Sequence, residues 1–275
     1  MNYGAYLPLA GFNQFGPNQR IDRRFDNLNV RFEHRFSSAW SGRLSLQQYR
    51  KAFTDHRWTS SLSFVPETRR LNSHEPAYQT QDIDTSAVQA DLLGRFRTGA
   101  TSHALLLAAD FTRDKYVNEQ WQLPTATRDA LPNAQRFIDP FNPDWTTIDY
   151  ALVNRKTSWT TRDLDYRGLT GSYRLYAWGD RLVGLAGLRY EQVSSEVENP
   201  LSTTNHGRGS EHSLGHSVGL NYRIAGDALL AYANYSTSFD TSTTVDQGVN
   251  RVQKATRGKG PEGGFKGMLL DERFG

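Results

Sequence analysis

The sequence predicts an all-β protein: an antiparallel, up-and-down transmembrane β-barrel, present in part, with about nine of its strands in this chain. Three observations carry that reading. Apolar and polar residues alternate with period two over stretches longer than the ~5–6 residues of an ordinary globular strand. The connections between these stretches alternate short and long, as when one rim of a barrel has tight turns and the other large loops. Aromatic residues, 14 Phe, 13 Tyr and 6 Trp among 275 residues, recur near the predicted strand ends, where interfacial girdles sit.

The first strand runs over Asn27–Phe36, with Leu28, Val30, Phe32, His34 and Phe36 on one parity and Asn27, Asn29, Arg31, Glu33 and Arg35 on the other. The next two cover roughly 40–55 and 83–97. From Leu105 the apolar parity holds Leu105, Leu107, Ala109 and Phe111. Another strand follows over 160–177. From Arg181 the alternation is Leu182, Gly184, Ala186, Leu188, Tyr190, although Val183 and Leu185 make the opposite face apolar at its start. From Ser213 it is Leu214, His216, Val218, Leu220, Tyr222 against Ser213, Gly215, Ser217, Gly219, Asn221. Strands over roughly 228–240 and 260–270 complete the set. Ser37–Ala39, Thr98–Ser102, Gly179–Asp180 and Ala225–Asp227 are the short connections. The long ones are roughly 56–82, 121–159, 199–212 and 241–259, and they collect Pro66, Pro76, Tyr78, Pro124, Pro132, Pro140, Pro143 and Trp145.

Composition narrows the function classes. Lys and Arg number 32 against 29 Asp and Glu, a net charge of +3, which points to neither a nucleic-acid binder nor an acidic tail. Cysteine is absent, which removes disulfides, thiolate metal sites and a cysteine nucleophile. No apolar run reaches the ~18 residues of a membrane helix, and a membrane barrel needs none. A soluble antiparallel sheet also alternates, but neither strand length nor loop order requires it to. The N-terminus shows no signal peptide, and the C-terminal Asp271–Gly275 reads as a turn, so the chain reads as part of a larger barrel.

The chemistry-bearing residues are few. His212 and His216 on one strand stand about 13 Å apart, too far to share a metal. Gly258-Lys259 lacks the Ser or Thr of a phosphate loop, and no nucleophile elbow or zinc-protease motif occurs, so no enzyme is expected. Arg31, Glu33, Arg35, Asp91, Arg95, Asp110, Asp114, Arg189 and Glu191 all fall on polar parities. A wet or polar-filled lumen explains so many charges on one face, and an apolar core does not.

Several phrases, in order, resemble the barrel region of TonB-dependent outer-membrane siderophore receptors, the ferrichrome-type branch in particular. They are Arg31-Phe32-Glu33-His34-Arg35-Phe36 with Ala39-Trp40 and Arg43, Leu92–Phe96 with His103–Asp110, and Asp139-Pro140-Phe141-Asn142-Pro143. Gly187-Leu188-Arg189-Tyr190-Glu191, Ala231–Phe239 and Lys259–Lys266 continue the series. The resemblance implies a 22-stranded barrel filled by a plug, a size that barrel geometry allows. Residues 1–275 would then be a partial barrel domain, without the plug or the closing C-terminal strands. It implies ferric-siderophore uptake across the outer membrane of a Gram-negative cell, coupled through the plug to the TonB complex. The partners would be siderophore, TonB and outer-membrane lipid. No cofactor is expected, because iron would arrive chelated by the siderophore. The aromatics expected to meet that ligand are Tyr78, Trp121, Trp145, Tyr150 and Trp159. With plug and opposing loops missing, the chain alone would not bind siderophore tightly. The competing readings are a passive porin and a surface β-sheet binding module.

Overall fold

The computed structural model describes residues 19–60, 64–65, 67, 69–71, 74–131, 137, 139, 141–142, 150–203, 206–226, 228–246 and 248–267. Nine long strands form one antiparallel path in chain order. They are β1 (Arg20–Arg35), β2 (Trp40–Ser60), β5 (His74–Thr98), β6 (Thr101–Gln122), β7 (Arg155–Ala177), β8 (Leu182–Glu198), β9 (His206–Arg223), β10 (Leu229–Asp240) and β13 (Thr256–Gly267). Every step along this path is a nearest-neighbour hairpin, with β1 and β13 at its two edges. Two-residue strands decorate the long connections: β3 (Phe64–Val65) pairs with β4 (Arg70–Leu71), and β11 (Val245–Asp246) with β12 (Arg251–Val252). The helical residues described are the five of α1 (Thr125–Asp129) and a 3-10 turn at Tyr150–Leu152. The all-β, up-and-down expectation therefore holds.

The strands run further than the sequence predicts. β5 has 25 residues and β7 has 23, so at ~3.3 Å per residue they extend well beyond a ~30 Å hydrocarbon core. Most of the predicted 56–82 connection, and the two ends of the predicted 121–159 connection, are strand. The physical reason is that hydrophobic alternation ends where the lipid ends, whereas the backbone ladder continues. Beyond that height, cross-strand polar pairs replace apolar contact with lipid. Arg113 Nη2 donates to Asp163 Oδ2 at 2.6 Å, Lys156 Nζ to Glu119 Oε1 at 2.7 Å, and Gln79 Nε2 to Asn118 Oδ1 at 2.7 Å. β1 likewise begins at Arg20 rather than Asn27, in a stretch held by Arg20–Asp22 and Arg24–Asp26 ion pairs.

The turns at the other rim are short because their residues supply the required backbone. Thr98 pairs with Thr101, and Gly99 sits at φ 60°, the geometry glycine provides at the first central position of a tight hairpin turn. Pro261, which has no N–H to donate, falls on the edge strand β13, where proline is tolerated.

Register makes the two faces continuous from strand to strand. Phe32, Leu44, Ala90, Ala109, Leu169, Tyr190 and Leu214 are successive cross-strand partners, so they share one face. That face is convex and open: Phe32, Leu169, Leu188 and Leu214 are each more than half exposed. The opposite parity carries most of the buried strand residues, among them Asp91, Asn118, Leu164, Val193 and Val197. An exposed band of large apolar side chains on one face only is a lipid-facing surface. Val218 lies in it at 52% exposure. Replacing Val218 with Arg is expected to cost about 2–4 kcal/mol in urea unfolding from lipid or detergent, and replacing the neighbouring Ser217 much less. The reverse order of costs would place the register one residue out.

Candidate functional site: the lumenal wall and the long-loop rim

The nine charges read from the sequence as lumenal all fall on the concave parity, and register ties most of the acids among them to guanidinium groups. Arg43 Nε donates to Asp91 Oδ2 at 2.6 Å, and Gln89 Nε2 donates to Asp91 Oδ1 at 2.8 Å. The Asp91 side chain is only 1% exposed, so these contacts satisfy a carboxylate that would be costly to bury alone. Three strands away in the path, Arg189 grips Asp110 with both Nη atoms, at 2.8 and 3.1 Å. It also donates Nε to Glu191 Oε2 at 2.9 Å and Nη1 to Thr170 Oγ1 at 2.9 Å. A planar guanidinium meets two acceptors at fixed spacing, which is why Arg rather than Lys suits this knot. Nearer the long loops, Asp114 accepts from Thr85 Oγ1 at 2.7 Å and lies 3.7 Å from Arg162. Sequence reading missed Arg43, Thr85, Arg162 and Thr170, each of which register places on the lumenal parity of its strand.

Gly168 makes the Arg189 knot possible. It lies directly opposite Asp110 and Glu191 in the ladder. A Cβ added there would collide with Arg189 Nη2 and come within 2.6 Å of both Asp110 carboxylate oxygens.

Four of the five expected ligand aromatics gather at the long-loop end. Tyr78 and Trp121 are cross-strand partners with ring centroids 4.9 Å apart. His56 lies 4.9 Å from Tyr78 and meets Tyr150 edge-on at 4.8 Å. Lys156 places its ammonium 5.1 Å from the Trp121 centroid and 3.9 Å from that of Trp159. Beneath these rings Leu123 and Val153 form the buried apolar centre of the loop, with Tyr78, Trp121, Leu131 and Tyr150 packed against it. Trp145 lies outside the described residues. Tyr78 and Trp121 share the parity of the lipid-facing side chains, but Tyr78 stands ten positions beyond Val88 along β5, about 33 Å away. His56 and Lys156 were not foreseen, because only register brings them to the aromatics.

The Tyr150 hydroxyl is buried without a hydrogen-bond partner among the described residues. Burial, and then the negative charge of Asp55, push its pKa up to about 12. Tyr150 is therefore a neutral phenol at physiological pH. The Trp159 indole N–H and the His56 Nδ1 are likewise unpaired among the described residues. The rim thus combines flat aromatic faces, one ammonium and several unused polar atoms, a set suited to stacking and to hydrogen-bonding a ligand.

A long-stranded antiparallel wall, apolar and convex on one side and charged and concave on the other, is a section of an outer-membrane β-barrel. The chain belongs to the TonB dependent receptor-like β-barrel family, whose model matches residues 2–275. It is 25% identical over 287 residues to the metal-pseudopaline receptor CntO of Pseudomonas aeruginosa, covering all of this chain and 38% of that protein. It is 24% identical over 280 residues to the ferrichrome outer membrane transporter/phage receptor of Escherichia coli K12, covering 96% of this chain and 36% of that one. The chain therefore spans under two fifths of the curated relatives it matches. Among solved structures, the closed form of the ferric-catecholate import receptor Fiu of E. coli K12 superposes with a TM-score of 0.73 at 15% identity, over 94% of this chain and 40% of Fiu. The ferric preacinetobactin receptor BauA of Acinetobacter baumannii gives 0.69 at 17% identity, over 91% and 36%.

Gly168→Ala is expected to displace Arg189 from Asp110 and to cost about 1–3 kcal/mol in urea unfolding. Gly171→Ala, whose Cβ would meet Leu107 at an ordinary 3.7 Å, is expected to cost far less. Equal costs would mean that the Arg189 knot tolerates the methyl group.

Proposed function

We propose that this chain is part of the wall of an outer-membrane active transporter that takes up ferric siderophores. The observation that carries the reading is the family match along nearly the whole chain, on a wall whose concave face is charged and whose long-loop rim is aromatic. Two relatives, the metal-pseudopaline receptor and the ferrichrome transporter, support a metal chelate as cargo. On this reading iron arrives already coordinated by its siderophore, so the protein supplies no cofactor and no iron ligands. It binds and passes its cargo without covalent chemistry, so it is not an enzyme.

Ligand contact is assigned to Tyr78, Trp121, Tyr150 and Trp159 of the rim, and to Trp145, which lies outside the described residues. Aromatic faces give large, stiff contact area, and a cation such as Lys156 complements an anionic chelate. Residues 1–275 act here as a partial barrel domain. Energy coupling is assigned to a plug inside the complete barrel, engaged by the TonB complex, because a passive wall cannot drive uptake against a gradient.

The test is uptake of radiolabelled ferric hydroxamates and catecholates by iron-starved cells that carry the gene containing this segment. The expected result is saturable uptake that disappears when TonB is inactivated and falls at least several-fold in Trp159→Ala. Uptake that persists without TonB and rises linearly with concentration would identify a porin instead.

A further inference from the structure

The lumenal wall changes character toward its short-turn end. Toward the long loops, acids and guanidinium groups on the concave face are tied together: Arg189 with Asp110 and Glu191, Arg162 with Asp114. The short-turn ends of β2, β5, β6, β7 and β8 are residues 40–50, 90–98, 101–109, 169–177 and 182–190. They hold a single carboxylate, Asp91, and it is already engaged by Arg43 and Gln89. On the concave parity of the same stretch stand Arg95 and Arg97 of β5 and Arg174 of β7, all exposed on this wall. Among the described residues these three make no ion pair or side-chain hydrogen bond. Register groups them. Arg95 is opposite Ala104, which is opposite Arg174, so the two leave the wall from backbones about 10 Å apart. Arg97 follows two residues further along β5, opposite the small Ser102.

On the function proposed above, the lumen of the complete barrel is filled by a plug. A plug packed against this stretch removes the water and counter-ions that would hydrate and screen the three arginines. Burying a guanidinium without a partner is costly, and a carboxylate in contact with it offsets that cost. Arginine cannot avoid the cost by losing its proton. The wall has no free acid to offer here, so the counter-charge has to come from the surface that faces it. We infer that the short-turn end of the wall from β5 to β7 is the docking surface for an acidic face of the plug, whose carboxylates pair with Arg95, Arg97 and Arg174. A guanidinium fork donates two parallel hydrogen bonds to one carboxylate, so such pairs fix the orientation of the plug as well as its position. The inference rests on the transporter reading. It adds which part of the wall holds the plug and the sign of the charge on the plug's facing surface.

The test uses the complete receptor encoded by the gene that contains this segment, purified in detergent. The first measurement needs no variant. Phenylglyoxal should modify Arg95, Arg97 and Arg174 at least about tenfold more slowly than Arg20, whose side chain is 72% exposed at the other end of the wall, as read by mass spectrometry. The second uses Arg95→Lys and Arg174→Lys, which keep the charge and supply an amine. A water-soluble carbodiimide joins an amine to a carboxylate in direct contact with it. The expected product links position 95 or 174 to an Asp or Glu outside residues 1–275. In cells, Arg95→Glu combined with Arg174→Glu should loosen the plug and raise sensitivity to vancomycin several-fold, and changing the linked acid to Arg should reverse the effect. Suppose uptake needs TonB, yet the three arginines react as fast as Arg20 or no link leaves residues 1–275. That result would overturn this inference and leave the transporter reading standing. Uptake that is linear in concentration and independent of TonB would remove both.

Discussion

A bilayer offers no hydrogen bonds, and that constraint organises the whole molecule. Each unsatisfied N–H or C=O in hydrocarbon costs several kcal/mol, so a lipid-crossing sheet must pair its backbone from strand to strand without a break. The ladder running from β1 to β13 does this with nothing but adjacent antiparallel hairpins. Once the ladder is fixed, side-chain direction follows, because successive residues point to opposite faces. The chain can therefore present Leu, Val and Phe to lipid and Arg, Asp and Glu to the lumen from the same strand. On β6, Leu107 and Ala109 face outward while Asp110 reaches Arg189 on the inside.

The same ladder explains why the charged wall is affordable in energetic terms. Asp91 and Asp110 sit where a bare carboxylate would be strongly disfavoured, yet each accepts two hydrogen bonds, Asp91 from Arg43 on β2 and Gln89 on its own strand, and Asp110 from Arg189 two strands away. The donors come from residues far apart in sequence, such as Asp110 and Arg189, which are 79 positions apart. Small residues then become structural requirements. Gly168 is fixed by the absence of a side chain, which leaves room for the guanidinium above it.

Much of this was legible in the sequence, and the part that was not has a common cause. Leu28–Phe36 and Leu214–Tyr222 announce both strand and face, because lipid contact imposes alternation. The nine charges assigned to the lumen landed there for the same reason. Strand ends were not legible: beyond the lipid both faces of β5 are polar, so residues 74–82 read as loop although they pair with β2 and β6. Partners were not legible either. Arg43 and Asp91, or Lys156 and Trp121, meet only when the register between strands is known, and a shift of one residue would part them. Tyr78, Trp121, Tyr150 and Trp159 were recognisable as a type of residue at one rim, but His56 and Lys156, which join them, carried no such signal.

The central claim is that one parity faces lipid and the other faces the lumen. It can be tested most directly by placing single cysteines along β9 from position 213 to 222, in a chain that has no cysteine of its own. Each is labelled with a fluorophore in reconstituted membranes and exposed to lipid-borne or water-soluble quenchers. The account predicts that labels at 214, 218 and 220 are quenched from the lipid, that labels at 213, 217 and 221 are quenched from water, and that the pattern alternates at every step. Uniform water access along β9, or alternation with the opposite sign, would contradict it.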